Sequence, residues 1–233
     1  MKRTIILLMS IFSLFGCAKQ AQSQYPQDTI TAKDGSAITL TFYSHASIAI
    51  SGAGKNIYVD PVGDKIDWTT EPRADLVLVT HEHGDHLDTA AVKKLNGTGE
   101  YVQMKPGELS EPFKGIKVEA VPAYNISEDQ LGFHPQERGD AGYIISVGGT
   151  RIYVSGDTED NDDVLALKDI DVAFVCCNKP YTMTVEQCAR VVNAIKPGIF
   201  YPYHYGGTGT PTDLEALQAA VEGSTEMRIR PLE

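Results

Sequence analysis

Cysteine is scarce in this chain. Its 233 residues hold four, with no Cys-x-x-Cys among them. That excludes a disulfide-dense mini-scaffold. Positive charge is short as well: 20 Lys and Arg stand against 31 Asp and Glu, for a net charge of −11. A phosphate-backbone binder normally presents a basic stripe, so nucleic acid is excluded as an expected partner. There is no Gly-x-Ser-x-Gly elbow, and no Ser-His-Asp hydrolase is expected. Gly206-Gly207-Thr208-Gly209 lacks the Gly-Lys-Ser/Thr ending and strand-turn-helix context of a nucleotide loop. What is present is 42% hydrophobic and only 22% charged residues. That balance excludes wholesale disorder, and the length is ample for a real core.

Residues 1–17 read MKRTIILLMSIFSLFGC. Lys2 and Arg3 precede an apolar stretch from Ile5 to Phe15, too short for a span of roughly 20 residues but suited to a signal peptide. Leu14-Phe15-Gly16-Cys17 resembles a bacterial lipobox. Residues 1–16 are therefore expected to be a lipoprotein signal. Cys17 would carry a lipid anchor in a bacterial membrane, facing the periplasm or the cell exterior. Residues 17–36, which include a Gln-rich stretch without periodicity, are expected to be a flexible tether. Residues 37–233 form the expected globular domain.

From Ile38 the pattern turns to short strands. Ile38 to Phe42 alternates with period two, and Ser47–Ile50 and Asn56–Val59 flank a turn at Gly52-Ala53-Gly54. Asp75 to Val79 is a continuous apolar run, as in a strand buried on both faces. Further strands are expected at 116–121, 142–147, 151–154, 171–175 and 199–201. Asp88 is placed to cap a helix that stops at Asn96-Gly97. Thr184 and Gln187 have capping-box spacing ahead of the stripe Val185, Cys188, Val192 and Ile195. A last helix starts near Thr212 or Asp213. Cys176, Cys177 and Cys188 read as buried thiols, with a Cys177–Cys188 bridge as the alternative. The chain also echoes itself: Ile57-Tyr58-Val59 recurs as Ile152-Tyr153-Val154, and Asp75–Val79 has a counterpart in Asp171–Val175. The expected fold class is α/β, with two similar β-rich halves packed face to face.

The densest chemistry follows the strand at 75–79, in Thr80-His81-Glu82-His83-Gly84-Asp85-His86. Four potential ligands lie within six residues. Imidazole and carboxylate together suit zinc, manganese or iron. His81 and His83 are placed to reach one ion, and Asp85 and His86 to turn toward a second.

This stretch resembles the His-x-His-x-Asp-His signature of the metallo-β-lactamase superfamily. The resemblance implies a four-layer αββα sandwich and a metal-dependent hydrolase. It implies two divalent ions, zinc first, with manganese or iron as alternatives. Asp157 matches the carboxylate that bridges them, His204 the late histidine of the second site, and Asp60 an early aspartate that supports the site. The family's third ligand of the first site usually follows a mid-chain strand. Here Ala123-Tyr124-Asn125 follows that strand without a histidine. His134 is expected to supply the ligand across the loop 124–138, with Asn125 through its carbonyl, or a water, as the alternative. His45, in Tyr43-Ser44-His45-Ala46-Ser47, resembles a segment of a narrower branch. That branch holds L-ascorbate-6-phosphate lactonase-like and N-acyl-phosphatidylethanolamine phospholipase D-like proteins.

The chemistry so implied is attack by a metal-bound hydroxide on a phosphoester, lactone or other ester, with Asp85 and His204 in catalytic roles. His45, Lys179 and Tyr181 are candidates to face a small-molecule or lipid-derived substrate. Two alternatives stand beside hydrolysis: a metal-binding surface module without turnover, and a glyoxalase- or dioxygenase-like activity. A flavodiiron-type oxygen reductase fits less well, because its ligand turn carries a carboxylate where this chain has His83.

Overall fold

The computed structural model describes residues 23–63, 65–207 and 209–232. The expected signal segment 1–16 and Cys17 lie outside the described residues. Twelve strands make two sheets among the described residues. The first sheet runs in chain order: β1 (Gln27–Thr31), β2 (Ala37–Ser44), β3 (Ser47–Gly52), β4 (Lys55–Val59) and β5 (Leu76–Leu78). The alternation read in the sequence sorts its faces. Leu40, Phe42, Ile48, Ile50, Ile57 and Val59 join the central core. Ala49, Tyr58 and Val77 point the other way, into a cluster with Trp68 and helix α1 (Thr89–Asn96). Asp88 caps that helix by accepting from the Ala90 and Ala91 amides, and Gly97 ends it at φ +82°.

The second sheet comprises β6 (Leu109–Phe113), β7 (Ile116–Pro122), β8 (Ala141–Val147), β9 (Thr150–Val154), β10 (Val172–Cys176), β11 (Ile199–Tyr203) and β12 (Glu226–Met227). Their spatial order is β12-β11-β10-β9-β8-β7-β6. β6 to β9 pair antiparallel, and β9 to β12 pair parallel. Parallel neighbours need crossovers. Helix α3 (Val185–Ile195), between β10 and β11, packs on β10 with α2 (Asp162–Leu165) and α4 (Leu214–Ala220) beside it. Its capping box forms as the spacing implies: the Thr184 side chain accepts from the Gln187 amide, and Gln187 caps the Thr184 amide in return. The sheets meet through aromatic rings, Phe42 lying 5.9 Å from Phe174 and 5.0 Å from Tyr201. The architecture is the expected αββα sandwich.

The internal echo is a structural equivalence. In the first sheet Ile57, Tyr58 and Val59 pair in parallel with Leu76, Val77 and Leu78. In the second, Ile152, Tyr153 and Val154 pair in parallel with Val172, Ala173 and Phe174. The two repeats hold the same register in the two sheets. Each sends an aspartate, Asp60 or Asp157, off the end of its first strand.

The tether expected over 17–36 is corrected within its described part, residues 23–36. Residues 27–31 are β1, paired antiparallel with β2 from Gln27 opposite Thr41 to Thr31 opposite Ala37. Only Ile30 of this strand is buried, so an edge strand left no period-two apolar signal. Asp28 ties it to the far sheet by accepting from Tyr201 Oη at 2.6 Å and Arg230 Nη2 at 2.7 Å. Cys176, Cys177 and Cys188 are free and buried, so the Cys177–Cys188 bridge is not formed.

Candidate metal centre

The strand ends carry the chemistry to one edge of the sandwich. His45 follows β2, Asp60 follows β4, and Thr80 to His86 follow β5. Asp157 lies just beyond β9 and His204 just beyond β11. His45, Asp60 and His204 have φ of +50°, +47° and +48°. Non-glycine residues adopt that region at a cost of about 1–3 kcal/mol each. Local bonds hold them there. The His204 amide donates to the His45 carbonyl at 3.1 Å, the His45 amide donates to the Leu232 carbonyl, and Ser47 Oγ donates to the Asp60 carbonyl at 2.6 Å.

Three groups of side chains converge closely enough to hold an ion: His81, His83 and His134; His81, His86 and Asp157; and His45, Asp85, His86 and His204. His81 Nε2 lies 3.1 Å from His83 Nδ1. Asp157 reaches both sides, with Oδ2 3.3 Å from His134 Nε2 and 3.3 Å from His204 Nε2, and Oδ1 3.2 Å from His86 Nε2. Donors on a tetrahedral ion, at bonds near 2.0–2.1 Å, stand about 3.3 Å apart. His86 Nε2, His204 Nε2 and Asp157 Oδ1 are fully buried and make no hydrogen bond. Buried polar atoms are normally satisfied. His86 belongs to two of the donor groups, His204 to one of these and Asp157 to the other, and unsatisfied donor atoms so placed fit metal binding.

The outer nitrogens are oriented in turn. Asp60 Oδ2 accepts from His86 Nδ1 at 2.8 Å and from Thr80 Oγ1 at 2.7 Å, while its Oδ1 accepts from the Thr80 amide at 2.7 Å. Thr80 Oγ1 also lies 3.0 Å from His81 Nδ1. These contacts point Nε2 of both histidines inward, as metal-binding imidazoles require. His134 Nδ1 lies 3.7 Å from Asp140 Oδ2, and the Arg138 guanidinium bonds Asp140, His134 Nδ1 at 3.1 Å and His83 Nε2 at 2.6 Å.

The charges respond to this crowding. Burial, and then the neighbouring His86, push His81 well below the ordinary histidine value. Burial and then Arg138 lower His83. Burial opposes charge on His86 and His204, yet Asp157 outweighs it: His86 is held well above its ordinary value and His204 at about 9. Burial lowers His134, but the nearby carboxylates of Asp140 and Asp157 outweigh it and raise the group. Burial alone would raise Asp157, but His204 and His86 hold it well below the carboxylate range. Asp85 is likewise lowered despite burial, through His204 and His45. The centre therefore sets two lowered carboxylates beside imidazoles, three of them raised, so that metal binding there competes with protons.

A cleft of about 230 Å³ opens onto these groups, lined by His45, His83, Asp85, His134, Asp157 and His204, with Phe133, Asn178 and Tyr181. The Phe133 and Tyr181 rings meet edge to face at 5.0 Å. Two expected site residues stand elsewhere. Lys179 turns toward buried Glu159, its Nζ 3.6 Å from Oε1, and does not line the cleft. Asn125 is buried with its amide N–H on the His134 carbonyl at 2.8 Å and its Nδ2 on the Tyr181 carbonyl at 2.8 Å. It braces the loop that presents His134.

A family profile described as "Beta-lactamase superfamily domain" matches residues 39–204, from within β2 to the end of β11, and takes in the whole centre. The chain belongs to the beta-lactamase superfamily. Within that superfamily its similarity is to proteins called UPF0173 metal-dependent hydrolases. The one from Pyrococcus furiosus is 31% identical over 196 residues, covering 72% of this chain and 84% of the relative. The one from Pelotomaculum thermopropionicum is 29% identical, covering 83% and 96%. A crystal structure from Parabacteroides distasonis, ascribed to a metal-dependent hydrolase, is 38% identical with a TM-score of 0.83 and covers 90% of this chain and all of that one. The chain is thus a member of a metal-dependent hydrolase family of the beta-lactamase superfamily.

Sequence reasoning did not single out Thr80, Arg138 or Asp140. Each works only through a spatial neighbour. Arg138 lies 55 residues from His83 along the chain, and no spacing rule connects the two.

Proposed function

We propose that the chain is a hydrolase that uses two divalent ions, zinc first and manganese or iron as alternatives, on a small ester, lactone or phosphoester. The observation that carries this reading is the trio of buried, unbonded atoms His86 Nε2, His204 Nε2 and Asp157 Oδ1 at the convergence of the donor groups. His81, His83 and His134 would hold one ion, Asp85, His86 and His204 the other, and Asp157 would stand between them. Such a pair, when bound, lowers the pKa of a water toward about 7 and polarises a carbonyl or phosphoryl group.

The chain's own residues do the rest. The Asp85 side chain is 53% exposed at the cleft, with Oδ2 turned to His45 Nε2 at 3.3 Å. Held ionised, it accepts a hydrogen bond from an attacking water and orients it. The Phe133–Tyr181 wall packs the acyl or alkyl part of a substrate and excludes water. The cleft lies below the roughly 300–1,000 Å³ of sites for drug-sized ligands, which fits a compact reacting group. Lactone and phosphoester head the substrate classes because Tyr43-Ser44-His45-Ala46-Ser47 resembles the lactonase-like and phospholipase D-like branch.

The test is a panel of nitrophenyl esters, lactones and phosphodiesters, offered to the zinc- or manganese-loaded chain. Hydrolysis of at least one class, abolished in Asp157→Ala, is expected. Equal turnover by Asp157→Ala would refute the reading. We propose in addition that Cys17 carries a lipid anchor, a reading supported by Leu14-Phe15-Gly16-Cys17 and the apolar run before it. Wild-type chain in the membrane fraction and Cys17→Ser in the soluble fraction would support the anchor. The same distribution for both would not.

A further inference from the structure

A buried carboxylate beside the centre has no part in the chemistry above. Glu159 lies two residues past Asp157 and is fully buried. Its Oε2 accepts from the Ile126 amide at 2.8 Å and the Ser127 amide at 2.6 Å. Its Oε1 accepts from Ser127 Oγ at 2.8 Å and Gln187 Nε2 at 3.1 Å, with Lys179 Nζ at 3.6 Å. Three separate segments therefore meet on one side chain: the β7–β8 loop, the loop after β10, and the first turn of α3. The β7–β8 loop carries His134 and Phe133, and the loop after β10 carries Asn178 and Tyr181, all of which line the cleft.

The connection to His134 is short. Ile126 follows Asn125, whose amide donates to the His134 carbonyl and whose side chain donates to the Tyr181 carbonyl. Ser127 starts the turn that leads to Phe133: its carbonyl accepts from the Gln130 and Leu131 amides, and the Gln130 carbonyl accepts from the Phe133 amide. An ionised carboxylate with four donors holds them by charge-assisted bonds, roughly twice as strong as neutral ones. Without it, the Ile126 and Ser127 amides lose their acceptor, and the loop shifts to find another. A ligand tolerates displacements of only about 0.2 Å before its metal bond weakens.

We propose that Glu159 is a positioning residue that fixes the His134 loop and so completes the donor set His81, His83 and His134. The proposal rests on the reading that this set holds an ion. It is tested on the full chain by cobalt(II) titration followed by optical absorption, in a double-mutant cycle with His134→Ala. Glu159→Ala is expected to weaken one ion about tenfold or more while leaving the other within about twofold. In the His134→Ala background, Glu159→Ala is expected to cause no further loss. Equal weakening of both ions, or the same loss in both backgrounds, would overturn the proposal. If His134→Ala itself kept both ions at wild-type affinity, the donor set would be wrong and the proposal would fall with it. Should Glu159→Ala not fold, Ser127→Ala tests the same link. An ion about two to five times weaker supports it, and wild-type affinity overturns it.

Discussion

Replacing Asp60 with asparagine changes one oxygen to an amide nitrogen in a fully buried position. The wild-type Oδ2 receives two donors, Thr80 Oγ1 at 2.7 Å and His86 Nδ1 at 2.8 Å, and Oδ1 receives the Thr80 amide at 2.7 Å. If the new NH2 takes the Oδ2 position, it faces His86 Nδ1. That nitrogen must then give up its proton, so the imidazole keeps its one proton on Nε2. Nε2 lies 3.2 Å from Asp157 Oδ1, so this N–H stays on the carboxylate and withholds both groups from a metal. If the amide flips, NH2 meets the Thr80 N–H instead, and a buried donor is left unpaired at about 1–3 kcal/mol. In the first arrangement the imidazole loses its orientation; in the second it keeps an acceptor, but one without charge, and the Thr80 amide beside it is unpaired. Outer partners of this kind are worth about 10–100-fold in metal affinity, or about 1.4–2.7 kcal/mol. Competition against a chromophoric chelator should show one of two ions weakened by that factor, with far-ultraviolet circular dichroism unchanged. Wild-type affinity and stoichiometry in Asp60→Asn would refute the idea that Asp60 acts by orienting His86.

Other outcomes follow from the same geometry. In the metal-free protein His204 is raised to about 9, so its contribution to stability is complete below the ordinary histidine value near 6.5 and is lost as pH rises through about 9. Thermal melts of metal-free protein should fall across that window. Calorimetry in buffers of different ionisation enthalpy should show proton release on metal binding, with affinity rising over the same range. Flat profiles in both would contradict the charge assignment. Gly142→Ala would place a methyl 2.4 Å from the Ser155 carbonyl and 2.7 Å from the Val154 carbonyl, both of them backbone. Overpacking of this kind costs about 1–3 kcal/mol. A denaturant midpoint unchanged from wild type would show that the β8–β9 contact is looser than described.

Much of this arrangement is legible in the sequence because it is local. His81 to His86 follow a buried strand directly, and the registers of β4–β5 and β9–β10 repeat residue for residue. The capping residues Asp88 and Thr184 sit where spacing puts them. What escaped detection is non-local or one-sided. β1 buries one residue and β6 none completely, so neither edge strand gives an alternating pattern. Its loop makes Lys179 a candidate to face substrate, but a buried carboxylate 20 residues earlier claims it. Arg138 reaches His83 and Thr80 reaches Asp60 only because the fold brings them near. The placement of His134 opposite His81 and His83 depends on a loop whose bracing by Asn125 and Glu159 no sequence spacing reveals.

The central claim is that two ions sit among these side chains. Anomalous diffraction at the zinc edge, from crystals of zinc-loaded full chain, tests it most directly. The expected result is two peaks, one touching His81, His83 and His134, the other Asp85, His86 and His204, with Asp157 between them. A single peak, no peak, or zinc bound away from Asp157 would contradict it.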